Sequence, residues 1–153
     1  MTTDIYQRLE NLGITLGEPP APKGSYLPIL TYGNVCYLSG SLPFKDGELL
    51  HAGIVGKDID AESANLAAAQ CVKNSLSVMH HSLGGIDRVK GVLKVVGFVA
   101  STADFTQHPS VVNGASDLLV EIFGESGRHA RSAVGVASLP LGSSVEIEMI
   151  IAI

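Results

Sequence analysis

Charge is scarce in this chain. Asp, Glu, Lys and Arg make up 16% of its 153 residues, against about 25% in a typical soluble domain. Basic charge is scarcer still, with ten Lys and Arg against fifteen Asp and Glu and a net charge of −5 with His neutral. The basic residues form no run and are not interleaved with aromatics. The sequence therefore gives no support to nucleic-acid binding along an extended surface, which needs a basic footprint. Long apolar runs are missing as well. None approaches the ~18 residues that cross a bilayer. The start, MTTDIYQRLENLGITLG, carries neither the basic nor the apolar segment of a secretory signal. We therefore expect a soluble, cytoplasmic protein without a membrane partner. Only two cysteines are present, Cys36 and Cys71, in apolar company and without CxxC spacing. That favours buried free thiols over a metal or dithiol centre. HExxH, GxSxG and a Gly-rich phosphate loop are absent, so the familiar zinc-protease, serine-hydrolase and nucleotide-phosphate readings have no motif behind them.

What is present is apolar sequence in abundance, 46% of the residues. The length suits one domain with a sizeable core. So few charges imply more buried surface than a monomer needs, which predicts a homo-oligomer.

Residues 4–12 read as a short amphipathic helix, with Ile5, Leu9 and Leu12 on one face. A Pro/Gly linker, GEPPAPKG, follows over 17–24. Two apolar runs then flank Tyr32-Gly33-Asn34, a hairpin signal. Residues 41–56 read as loop and short strand. Residues 58–85 form the longest predicted helix, with Asp60 as its cap and Gly84-Gly85 as its stop. Ala64, Ala68, Cys71, Val72, Ser75, Leu76, Met79 and Leu83 trace its apolar stripe. Residues 88–101 predict a buried, Val-rich strand, bulged at Gly97. Residues 108–124 predict a second helix with Pro109 in its first turn and Gly124 at its end. The final tract, HARSAVGVASLPLGSSVEIEMIIAI, predicts two strands. Together these make an α+β fold with two main helices packed on one face of a mixed sheet. The other face needs a cover, a second argument for self-association.

The charges in the final tract are the candidates for chemistry. Along a strand, Arg131 shares a face with Ala133, Gly135 and Ala137, all small. A guanidinium with room above it suits a carboxylate fork; the alternative is a solvated or ion-paired strand end. Glu146 and Glu148 share a face with Ile150 and Ala152. A carboxylate in an apolar wall suits general acid or base work; the alternative is an exposed face where Glu discourages edge pairing. If the two strands form a simple hairpin turning between Pro140 and Leu141, Arg131 lies opposite Ile150 and Glu146 opposite Gly135. Arg131 and Glu146 are then roughly 13 Å apart, and another strand or subunit must join them. The adjacent His80 and His81 read as surface residues favoured at a helix C-terminus. His51 and His108 read as loop and helix-start residues, and His129 lies close to Arg131. Ser39-Gly40 after VCYL reads as turn chemistry at a strand end.

Taken together, ARSAVGVASLP with VEIE, YLSGSLP (37–43) and ADFTQHPSVVNGASDLLVEIF (103–123) resemble the RidA/YjgF family of reactive-intermediate deaminases, some of which bear the label endoribonuclease L-PSP. The resemblance covers 24–153 and leaves 1–23 as an N-terminal helix and linker extension. It implies a chorismate-mutase-like α+β fold, a homotrimer and pockets between subunits. It implies hydrolysis of enamine or imine intermediates of the 2-aminoacrylate type to a 2-keto acid and ammonia, without a metal or organic cofactor. Carried over, Arg131 holds the substrate carboxylate and Glu146 positions water and moves protons. Ser39, Tyr26 and Asn113 line the pocket, and backbone groups near Ala133 orient the substrate. The chain departs from the family at Arg128-His129, where Phe-Pro is common, and at Ala133, where Cys or Thr is common. A carboxylate-binding protein without turnover and an RNA-cleaving protein are the competing readings, the latter disfavoured by the acidic balance.

Overall fold

The structure, a computed structural model, describes residues 4–153. Helix α1 (Ile5–Asn11) is capped by Asp4, whose side chain accepts from the Tyr6 amide. Strands β1 (Ile29–Tyr32) and β2 (Val35–Ser41) form the expected hairpin, with Tyr32 paired to Val35 across a two-residue turn. Gly33 takes φ 63° there, the left-handed value that a tight hairpin demands. A small hairpin, β3 (Phe44–Lys45) and β4 (Glu48–Leu49), turns through Asp46-Gly47.

Helix α2 (Ala61–Leu83) begins where the Asp60 carboxylate accepts from the Ser63 amide at 2.7 Å and stops at Gly84. Strand β5 (Gly91–Ala100), helix α3 (His108–Phe123) and strand β6 (Ala130–Val136) form a parallel crossover unit, and β7 (Val145–Ala152) closes the sheet. The sheet has five strands in the order β1-β2-β7-β5-β6, with only the β5/β6 pair parallel. This is the α+β architecture with a mixed sheet that the sequence predicts.

Strand parity sorts the core. Val145, Ile147, Met149 and Ile151 of β7 are buried beneath α2 and α3, with Val92, Val95 and Val99 of β5 beside them. The facing helix stripes are Ala64, Ala68, Cys71, Val72, Leu76 and Met79 on α2, and Val111, Ala115, Leu119 and Ile122 on α3. Among the described residues no layer lies over the opposite sheet face. Leu30, Tyr32, Tyr37 and Val134 are exposed there, beside the half-buried Val96, Phe98 and Ile150.

Three expectations are corrected. First, β6 and β7 are not a hairpin, because β5 lies between them and pairs with both. Residues 137–144 carry the chain past the end of β5, where the Ala100 amide donates to the Ser144 carbonyl. Second, the irregularity in β5 falls between Val92 and Lys94, not at Gly97. Gly97 stays in register because α3 crosses directly above it; a Cβ there would stand 2.3 Å from Val112 Cγ2. Third, His80 is not a free surface histidine. Tyr6 of α1 packs edge-on against its ring, and its Nδ1 is buried.

The N-terminal helix is docked onto the body. Leu9 and Ile14 belong to the buried core, and Arg8 Nη1 donates to the Ile122 carbonyl near the end of α3. Tyr6 Oη donates to Asp87 at 3.1 Å. Among the described residues no helix is long and apolar enough to cross a membrane.

Candidate functional site

The sequence candidates fall into two groups on opposite faces of the sheet. Arg131 pairs with Val95, which pairs with Met149, and both partners are buried under the helices. Arg131 therefore stands on the helix-covered face, on the outermost strand. Its Nη1 donates to Asn113 Oδ1 at 2.8 Å and to Ser116 Oγ at 3.1 Å, both from α3. Those bonds use both protons of Nη1. Neither Nε nor Nη2 has a hydrogen-bond partner among the described residues, and Arg131 has no carboxylate partner among them. Nε–H and one Nη2–H form one edge of the guanidinium, the geometry of a bidentate carboxylate fork. Ala133 lies two residues along the same face, so Arg131, Asn113 and Ala133 belong to one locus.

The second group is built around β2 and β7. Glu146 pairs with Phe98, which pairs with Val134, on the uncovered face. Its carboxylate lies over Gly40, where a Cβ would come within 1.9 Å of Oε1. The β2/β7 register shifts between Leu38 and Ser41, so Ser39 and Gly40 form a bulge at this point. Ser39 Oγ donates to the Leu27 carbonyl at 2.6 Å, and the Ser39 amide donates to the Pro28 carbonyl. Tyr26, exposed, precedes this clamp directly. Ser39 and Glu146 thus lie along one bulged border of the open face, with Tyr26 next in the chain to the Leu27 that Ser39 holds.

Partial burial holds the Glu146 carboxyl above the ordinary carboxylate range, and the like charge of Glu148 adds to the shift. A carboxylic group with a raised pKa is suited to passing a proton near neutral pH. By contrast, burial pushes the Cys71 thiol up, so it is not a ready nucleophile.

Within one chain the two groups do not meet. Three residues of strand and two strand spacings separate Arg131 from Glu146, about 14 Å between their positions, before the opposite directions of their side chains are counted. A depression of about 250 Å³ on the open face is lined by Tyr37, Lys94, Val96, Glu148 and Ile150. Neither Arg131 nor Glu146 lines it. Arg128, which the sequence places near Arg131, pairs with Glu125 at 3.1 Å in an exposed contact.

Two contributors escaped the sequence reading. Ser116 is three residues after Asn113 on α3, the spacing that puts two side chains on one helix face. Gly40 was visible only as a turn residue; its role is to leave space for Glu146.

The family described as "YjgF/chorismate_mutase-like, putative endoribonuclease" matches residues 6–152. The chain belongs to the RidA/YjgF family. A crystal structure of the Agrobacterium tumefaciens protein Atu1372, of unknown function, superposes with a TM-score of 0.90 at 43% identity, covering 97% of this chain and 92% of that one. Protein TCP17 of Trypanosoma cruzi is 40% identical over 148 residues, 96% of this chain and 92% of TCP17. A 2-iminobutanoate/2-iminopropanoate deaminase of Dermatophagoides farinae is 32% identical over 136 residues, 88% of this chain and 90% of the mite protein. His129, in the Arg128-His129 pair that precedes Ala130-Arg131, has a polar partner, Ser116 Oγ, at 2.9 Å.

Proposed function

We propose that this RidA/YjgF member hydrolyses small enamine or imine acids of the 2-aminoacrylate type, in pockets completed between copies of the chain. The observation that carries this reading is the free Nε/Nη2 edge of Arg131, fixed by Asn113 and Ser116 and left without an acidic partner among the described residues. That edge suits a substrate carboxylate. The likeness to the mite deaminase supports the same chemistry.

An enamine first becomes the imine by gaining a proton at carbon and losing one from nitrogen. Water then adds to the imine carbon while Glu146 takes a proton from the water and delivers one to nitrogen, giving a carbinolamine. As the C–N bond breaks, the hydroxyl proton moves to nitrogen through Glu146, leaving a 2-keto acid and ammonia. Imines are reactive electrophiles, so orientation and one proton relay supply much of what is needed. Arg131 and Glu146 act together only if one copy presents its β6 edge to the β2/β7 border of another. The uncovered apolar face supports such an assembly, and a closed trimer satisfies it with three equivalent sites.

A second reading rests on the same separation. Carboxylate capture by Arg131 does not require Glu146, so the chain could bind 2-keto acids without turning over imines. Generating 2-aminoacrylate in situ and following keto-acid release tests both. Release lost in Arg131→Ala, with the oligomer intact, supports hydrolysis. No release from wild type, together with thermal stabilisation by 2-oxobutanoate, supports binding alone. Unchanged release in Arg131→Ala rejects the site.

A further inference from the structure

We propose that Ser116 and His129 are positioning residues that set which edge of Arg131 faces the ligand, an inference that rests on the reading of Arg131 as the carboxylate anchor. His129 Nδ1 lies 2.6 Å from the Gly127 carbonyl, and its Nε2 lies 2.9 Å from Ser116 Oγ. The direction of every bond follows from one end. A carbonyl only accepts, so Nδ1 carries the proton. In the neutral ring Nε2 then accepts, and Ser116 donates to it. The Ser116 oxygen keeps its lone pairs for Arg131 Nη1, 3.1 Å away. Gly127, His129, Ser116 and Arg131 therefore form a single polarised chain that ends on the guanidinium.

The chain selects among the guanidinium's edges. A free arginine can offer a carboxylate its end, Nη1 with Nη2, or its side, Nε with Nη2. Asn113 and Ser116 together occupy Nη1 and withdraw the end. Only the side remains, so a planar carboxylate has one bidentate orientation. Asn113 is exposed, whereas Ser116 and His129 are half-buried in the angle between α3 and β6. The half-buried arm and the exposed arm hold Nη1 between them. Fixing donors in advance leaves less ordering to be lost when the ligand binds.

The test uses the full-length protein and 2-oxobutanoate as probe, with affinity read by titration calorimetry. Ser116→Ala and His129→Ala are each expected to weaken binding about three- to tenfold, the scale of a lost hydrogen bond. Ser116→Thr, which keeps the hydroxyl, is expected to bind within about twofold of wild type. His129→Gln, whose Oε1 can accept in place of Nε2, is expected to recover most of the loss. The double alanine variant should bind no worse than either single one, because both residues act through one chain. In 15N-arginine spectra the separate Nη1 and Nη2 signals of Arg131 should merge in the alanine variants and stay apart in Ser116→Thr.

Arg131→Ala is the control. If it loses binding while Ser116→Ala and His129→Ala bind like wild type, the positioning role is wrong and the anchor stands. Equal binding by wild type and Arg131→Ala removes the anchor itself and the inference with it. If Ser116→Ala does not fold, the His129→Ala and His129→Gln pair makes the same decision.

Discussion

Arg131 and Glu146 occupy opposite faces of one sheet, with β5 between their strands. Arg131 reaches under α3, toward Asn113 and Ser116. Glu146 lies over the bulge at Gly40, on the face opposite α2 and α3. The two side chains proposed to share one substrate therefore cannot meet within a chain. On the proposed reading, the open apolar sheet face and the free Nε/Nη2 edge of Arg131 are each half of a contact that a second copy supplies.

The fork at Arg131 predicts a graded response. Arg131→Lys keeps the charge but loses the parallel pair of N–H donors, so 2-oxobutanoate affinity should fall about tenfold. Arg131→Ala should fall by about a hundredfold or more. Titration calorimetry separates the two variants, and an Arg131→Lys affinity equal to wild type would mean that charge alone attracts the ligand.

Glu146→Gln should lower imine hydrolysis by about 10²- to 10⁴-fold and leave keto-acid affinity near wild type. In the wild type, the acid limb of kcat/KM should lie above the ordinary glutamate value of about 4.3, because partial burial and then Glu148 raise this carboxyl. Stability carries the same sign. A raised carboxyl favours the folded state when protonated, so its contribution is full at low pH and is lost as pH rises through the raised value. The glutamine variant should therefore melt above wild type at neutral pH, with the gap closing below about pH 4. Melting curves across that range provide the check.

Gly40→Ala puts a Cβ where the Glu146 carboxylate now lies. The carboxylate must swing away, because the methyl group is fixed to β2. Turnover should fall at least tenfold, a barrier increase of about 1.4 kcal/mol, while Arg131-dependent binding persists. Loss of both together would place Gly40 in the assembly contact instead.

The N-terminal helix contributes to folding. Leu9 is 3% exposed and joins the core cluster. Leu9→Ala should cost about 2–3 kcal/mol in denaturant unfolding. A change below about 0.5 kcal/mol, the scale of a surface substitution, would mean that α1 detaches from α3 in solution.

Local features were legible in the sequence because their causes are local. Asp60 and Gly84 bound α2 by capping and by the left-handed turn, and Tyr32 to Val35 reads as a hairpin from Gly33-Asn34 alone. Strand parity also placed Arg131 with Ala133 and separated Glu146 from Ile147. The pairing order was not legible. Neighbours in sequence, β6 and β7, attract a hairpin reading, and nothing in either strand announces that β5 enters between them. Gly97 looked like a bulge because a glycine in a strand has several causes; here the cause is Val112 on a helix that approaches through tertiary packing. The Arg131 shell was half visible for a similar reason. Asn113 came with the family resemblance, while Ser116 and His129 are tied to Arg131 by side-chain geometry that spans α3 and β6.

Subunit complementation decides whether Arg131 of one copy and Glu146 of another serve one site. Arg131→Ala and Glu146→Gln chains, each inactive alone, are unfolded, mixed in equal amounts and refolded, and native mass spectrometry confirms that hybrids form. If each site takes Arg131 from one copy and Glu146 from another, random mixing rebuilds about a quarter of the sites, and about a quarter of wild-type imine hydrolysis returns. Hybrids that form and remain inactive would mean that Arg131 and Glu146 of different copies do not share a site.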